Sequence, residues 1–190
     1  LLTRRDAKDQ RSWQALGFAY SVAGRASDAE QALRRAVALD PKDADAWRDL
    51  GVVLASMKRD ADARAAYARA ARLDPGDGAV LVNLGNLESR AGRAADALAA
   101  YHAAELRDTL LVNAYRGQVR ALTDLRREAE AGAVYRRWLA RAPGDLQARA
   151  EAIQWFDAHG QRDTALALAQ ETVRAHPRSG EARLQLGLAY

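Results

Sequence analysis

Cysteine is absent from this 190-residue chain, so disulfides and thiolate metal sites are excluded. Alternating runs of β-branched residues are missing, which argues against a sheet. No apolar run approaches the ~20 residues that a membrane-spanning helix needs. The opening Leu1-Leu2-Thr3-Arg4-Arg5-Asp6 is not a charged segment followed by an apolar one, so no signal peptide is read there. The chain has no initiator methionine and stops at Leu188-Ala189-Tyr190 without a polar tail, and we read it as a piece of a longer protein. Lysine is almost missing too: only Lys8, Lys42 and Lys58 occur, and arginine carries the rest of the positive charge.

What is present favours helix. Alanine, leucine, arginine and glutamate, all good helix formers, dominate. Apolar residues at 49% and charged residues at 28% give an ordinary soluble balance. The net charge of +4 and a pI near 9.7 require that nucleic acid be weighed as a partner. Arginine and alanine excess is also what a GC-rich coding sequence produces.

One period organises the chain. The only prolines are Pro41, Pro75, Pro143 and Pro177, at multiples of the same step. Trp13 and Trp47 keep that step. So do Leu16, Leu50, Leu84 and Leu186, each followed directly by Gly17, Gly51, Gly85 or Gly187. Ala29, Ala63, Ala97, Ala131 and Ala165 hold it without a gap, and Tyr67, Tyr101 and Tyr135 hold it too. Several residue types locked to one phase mean a repeat architecture.

Trp13-x-x-Leu16-Gly17-x-x-Tyr20, then Ala29, Leu33, Ala36 and Pro41, resembles the tetratricopeptide repeat. Trp47, Leu50, Gly51, Ala63, Tyr67, Ala70 and Pro75 restate it. The resemblance implies an all-α, right-handed superhelical solenoid of antiparallel helix pairs with about five and a half repeats. The frame gives repeats at 10–43, 44–77, 78–111, 112–145 and 146–179 and a partial one at 180–190. Residues 1–9 are then the end of a preceding element or a linker.

Local chemistry supports the same cut. First helices are expected at roughly 10–23, 44–57, 78–91, 112–125, 146–159 and 180–190, and second helices at roughly 27–40, 61–74, 95–108, 129–142 and 163–176. Asp9, Asp43, Asp77, Asp145 and Ser179 stand where a side-chain oxygen can cap a first helix. Ser27-x-x-Glu30 reads as a capping box for a second helix. Gly24, Gly92 and Gly160 read as left-handed turns inside a repeat. Gly17 and Ala29 are expected to face each other where two helices cross.

The pattern loosens in the fourth and fifth repeats. Val119 and Ile153 replace the close-packing glycine, Trp138 and Trp155 stand where alanines stand elsewhere, and Gly132 falls inside a helix. Thr109 and Leu111 replace proline and aspartate at the junction before the fourth repeat. Two readings follow: a compensated core in which the tryptophans take space given up by Ala148 and Ala152, or a bend or widened groove between these repeats.

The resemblance implies that first helices line a concave face and meet the partner. Carried over by position, the inward set includes Arg11, Gln14, Phe18, Asp45, Arg48, Asp49, Val52, Val82, Asn83, Asn86 and Arg90. It continues with Asn113, Arg116, Arg120, Glu151 and Gln154. Asn83 and Asn86 suit an extended peptide backbone. Arg116 and Arg120, with Arg90 and Arg48, suit a carboxylate, whereas Glu151 makes the far end acidic. The carboxylate clamp of some family members is not expected, because Val52 and Gly117 fail its pattern. An asparagine ladder is not expected either.

An enzyme is not expected. His102, His159 and His176 lie in separate places without metal spacing, and Pro75-Gly76-Asp77-Gly78 lacks the ending of a phosphate loop. No cofactor or metal is implied. Arg34, Arg35, Arg69, Arg136 and Arg137 scatter over second helices and Arg25, Arg59, Arg93 and Arg127 over turns, which argues against nucleic acid. The expected role is a scaffold or adaptor that binds a peptide segment or helix of a partner protein. The alternative is self-association through the C-terminal Leu184, Leu186 and Leu188, or a targeting arm of a larger envelope, secretion or transferase complex.

Overall fold

A computed structural model describes residues 9–108 and 112–189. The leading segment, the Thr109–Leu111 junction and Tyr190 lie outside the described residues. Eleven helices occur among the described residues. They are α1 (Gln10–Val22), α2 (Ala26–Leu39), α3 (Ala44–Ser56), α4 (Asp60–Leu73), α5 (Gly78–Arg90) and α6 (Ala94–Arg107), followed by α7 (Val112–Asp124), α8 (Glu128–Arg141), α9 (Leu146–Ala158), α10 (Arg162–Ala175) and α11 (Gly180–Leu188). The protein is all-α, and its helices alternate as antiparallel pairs of the tetratricopeptide type. Among the described residues no helix is long and apolar enough to cross a membrane.

The first helices begin where the sequence places a cap. Asp9 accepts from the Arg11 and Ser12 amides, Asp43 from Ala46, Asp77 from Ala79 and Val80, Asp145 from Ala148, and Ser179 from Ala182. Each bond satisfies an amide that has no partner within the helix, worth ~1 kcal/mol apiece.

The second helices start differently. Each begins one residue earlier than the sequence pattern suggests, after an N-cap arginine or glutamine that makes no side-chain cap. The capping box at Ser27 is therefore not formed: Ser27 lies inside α2, and Glu30 accepts from Arg34 and Arg59 instead. The cause is the turn before it. Gly24, Gly92 and Gly160 have φ of 72°, 73° and 74°, and Lys58 and Arg126, at the same phase, have φ of 62° and 58°. This left-handed residue lets the next amide reach back five residues, as Arg25 N does to the Tyr20 carbonyl at 2.9 Å and Arg59 N to the Leu54 carbonyl at 3.0 Å. The new helix then starts at once. Arg25, Arg59 and Arg127 pair with Asp28, Asp62 and Glu130 in its first turn. The turn arginines are thus paired locally, three residues on.

The chain divides into two compact units, Leu1–Leu111 and Val112–Tyr190. In the first, a core of Leu33, Leu50, Val53, Leu54, Tyr67 and Leu87 runs through the stacked pairs, with Trp13 and Trp47 packed against it. Glycine sets the spacing within each pair. A Cβ on Gly17, Gly51 or Gly85 would come within 2.5, 2.5 and 2.6 Å of side-chain carbons of Leu33, Tyr67 and Tyr101. The side chain admitted is thus one turn beyond the alanine expected there, although Ala29, Ala63 and Ala97 are fully buried nearby.

The second unit keeps the helix pairs but fills them differently. With Val119 and Ile153 in place of glycine, the helices of each pair are less closely apposed. Aromatic rings pack α7 against α8 and α8 against α9. Trp138, 2% exposed, stacks on Tyr115 with centroids 5.6 Å apart and on Tyr135 at 6.1 Å. Trp155 meets Tyr135 at 5.7 Å and Phe156 edge-on at 5.3 Å. Ala148 and Ala152 are completely buried.

Candidate functional site

The residues offered to a partner fall into the two units: Arg48, Asn83, Asn86 and Arg90 in the first, and Asn113, Arg116, Arg120, Glu151 and Gln154 in the second. Within each unit many of these side chains hold neighbouring repeats together.

In the first unit the Gln14 amide donates to Asp49 at 3.0 Å and that of Gln10 to Asp43 at 2.6 Å. Arg48 reaches Asp77 at 2.9 Å and Asp45 at 2.6 Å, with Asp49 at 3.7 Å. Its charge is therefore spent on this chain's own carboxylates. Arg90 pairs with Asp60 of α4 at 3.2 Å. Burial pushes the Asp49 carboxyl above its usual range, against the lowering effects of the Gln14 bond and the Arg48 charge.

Other positions remain turned to solvent. On α1, Phe18 is 63% exposed and Val22 74%; Val52, at the same phase as Phe18 on α3, is 43% exposed. Beside them lies a cleft of about 490 Å³ lined by Arg11, Gln14, Phe18, Asp43, Asp45 and Asp49. Three carboxylates against one guanidinium make it acidic. Val82, expected to face inward with these, is instead buried. On α5, Asn83 is half-buried and Asn86 exposed. The Tyr101 hydroxyl donates to Asn86 Oδ1 at 2.8 Å. That bond leaves the Asn86 amide nitrogen as a donor to solvent, so the same ring that seats on Gly85 orients a surface asparagine.

In the second unit Arg116 forms a bidentate pair with Glu151, its Nε 3.0 Å from Oε2 and its Nη2 on Oε1. It also lies 5.8 Å from the Trp138 ring. The Glu151 bond raises the Arg116 pKa further above its ordinary value. A guanidinium held this way is already satisfied by the geometry that a partner's carboxylate would have used. Asn113, Arg120 and Gln154 are exposed.

The histidines do not converge. His102 is exposed on α6, His159 stacks on Trp155 at 4.1 Å, and His176 caps α10. Among the described residues no three carboxylates or imidazoles come together to hold a metal ion.

Sequence reasoning missed the exposed Val22. Its signal is the phase, four residues after Phe18 on one helix face.

Solved structures with the same fold include YrrB, a tetratricopeptide repeat protein described as having an unusual peptide-binding site. It is 18% identical, with a TM-score of 0.65 over 94% of this chain and 92% of that one. MamA is 17% identical, with a TM-score of 0.70 over 91% and 95% of the two chains. PilW, a type IV pilus biogenesis factor, is 18% identical, with a TM-score of 0.73 over 96% and 85%. No curated protein sequence is significantly similar to the chain. The tetratricopeptide repeat profile matches residues 15–78 and 82–145, most of the chain, and the protein belongs to the tetratricopeptide repeat family.

Proposed function

We propose that this chain is a protein-interaction scaffold that holds an extended segment or a helix of a partner protein against its first helices, and that it catalyses no reaction. One observation carries the reading: Phe18, Val22 and Val52 stand in water on the first-helix face of the first unit. Covering a phenylalanine and two valines removes apolar surface from water at ~25 cal/mol per Å², and an apolar patch rimmed by polar groups marks an interaction surface. Asn83 and the outward amide of Asn86 supply donors and acceptors for a peptide backbone. In the second unit Asn113, Arg120 and Gln154, with the Arg116–Glu151 pair, extend the polar lining.

The ion pairs change the expected charge of the partner. Because Arg48 is neutralised internally while Asp43, Asp45 and Asp49 line the cleft, the segment over the first unit is basic rather than acidic. The test uses a fluorescein-labelled twelve-residue peptide of lysines with two central leucines. Phe18→Ser with Val52→Ser, which removes the apolar surface without adding charge, should reduce its binding more than about tenfold while circular dichroism stays unchanged. Equal binding by the variant would refute the reading. Arg116→Glu with Arg120→Glu measures how much the second unit adds.

A second reading has its own observation. Leu184 and Leu188 of α11 are exposed, and nothing lies within 4 Å of a Cβ built on Gly187, unlike Gly17, Gly51 and Gly85. A second copy covering α11 would make the protein self-associate. Light scattering across a wide concentration range, with Leu184→Lys as the control, decides it.

A further inference from the structure

The second-helix side of the first unit carries a cleft of different chemistry. Its volume is about 500 Å³; α2 and α4 bound it and α3 supplies its floor of Trp47, Leu50 and Leu54. That size suits a small ligand or an anchoring side chain. The floor is pre-formed, because the Trp47 indole donates to the Pro41 carbonyl at 3.1 Å and cannot swing freely. Arg34, Arg69 and Arg72 form the rim, with Asp62 as its single carboxylate.

The charges do not cancel. Arg34 donates to Glu30 at 2.8 Å, and Arg59 bridges Glu30 and Asp62. Those two guanidiniums balance those two carboxylates. Arg69 and Arg72 remain, close together on α4, and neither has an ion pair among the described residues. Arg72 sits in the last turn of α4, where exposed carbonyl ends favour a cation. Arg69 is half-buried in the wall with no such reason to be there.

We propose that this cleft is a second docking site, for an acidic segment of a partner protein. An apolar side chain of that segment seats over Trp47, and carboxylates on either side of it pair with Arg69 and Arg72 through two-pronged hydrogen bonds. Charge complementarity selects this occupant. A nucleic acid fits less well. Its backbone would meet an apolar floor and the Asp62 carboxylate, and two unpaired guanidiniums fall far short of the roughly 6–10 phosphate contacts of a strong electrostatic binder. The site is independent of the first-helix reading, since the two clefts share no lining residue.

The experiment is fluorescence anisotropy of the whole chain with a labelled twelve-residue peptide of glutamates carrying two central leucines. Saturable binding is expected. Arg69→Glu with Arg72→Glu should weaken it at least about tenfold, with helicity unchanged. Ala65→Glu, which adds bulk and a carboxylate to the exposed wall without touching the core, should do the same and decides the matter if the arginine variant fails to fold. Phe18→Ser with Val52→Ser should leave this binding intact, so that failure here and failure of the first-helix reading are distinguishable. No saturable binding, equal binding by the Ala65→Glu variant, or tighter binding of a twelve-nucleotide oligothymidylate would overturn the proposal.

Discussion

Helix pairs in the first unit close on glycine, whereas in the second unit stacked rings join α7 to α8 and α8 to α9. In the first, Tyr67 and Tyr101 press against bare backbone at Gly51 and Gly85. In the second, Val119 and Ile153 replace that glycine, and Trp138, Tyr135, Tyr115 and Phe156 pack α7 against α8 and α8 against α9. The repeat length is the same in both. What the difference teaches is that the period constrains where helices start and stop, while the filling between them is chosen by volume.

That contrast can be broken at its largest point by Trp138→Ala. The ring is buried and stacked on two tyrosines, so its loss should cost ~3–5 kcal/mol. Hydrogen exchange should show protection lost across α7 to α9 first, because stability in a repeat array is local. Uniform loss over the first unit as well would show that the units do not unfold separately.

The counterpart in the first unit is Gly85→Ala. Its new methyl would lie 2.6 Å from Tyr101 Cε1, within a pair that has no slack, and the cost should be ~1–3 kcal/mol in chemical denaturation. Gly132→Ala in the second unit is the control: its methyl meets Phe156 at 3.1 Å, a tightness that the ~1 kcal/mol gain in helix propensity offsets. A large penalty there would mean that the rings are packed as rigidly as the glycine seats.

Lys58→Gly and Arg126→Gly compare the units at the turn. Both residues sit at positive φ, where glycine carries no Cβ strain, so each change should stabilise its unit by ~0.5–1 kcal/mol. No rise in thermal midpoint for either would remove strain from the account of that turn.

The smallest effect concerns Asp49. Its folded pKa is raised by burial, so folding takes up a proton and the ionised carboxylate costs stability at neutral pH. That cost fades as pH falls through the raised value. Asp49→Asn keeps the acceptor for Gln14 and removes the charge. Its midpoint should exceed wild type by on the order of 1 °C at pH 7 and match it near about pH 3, where both side chains are neutral.

Much of this fold was legible in the sequence, because its signals act over short range. Caps at Asp9, Asp43 and Asp77 and turns at Gly24 and Gly92 need only a neighbour or two to take effect. The left-handed Lys58 and Arg126 could have been found from phase alone, at one repeat length from those glycines. The capping box failed because Ser27 and Glu30 satisfy a local motif that a tighter turn pre-empts. The candidate site was less legible. Whether Arg48 or Arg116 is offered to solvent depends on what stands 29 or 35 residues later, Asp77 and Glu151, and on how adjacent helices are offset. A single helix wheel carries no such information.

The glycine seat has a consequence for how such a chain can be lengthened, shortened or spliced. Gly17 with Leu33, Gly51 with Tyr67 and Gly85 with Tyr101 each lie inside one repeat, so a whole block carries its own fastening wherever it is moved. The bonds of Gln14 to Asp49, Arg90 to Asp60 and Arg116 to Glu151 span a block boundary and would face whatever residue arrives next. Transplanted repeats should therefore fold within themselves and differ mainly in how firmly each grips the one beside it.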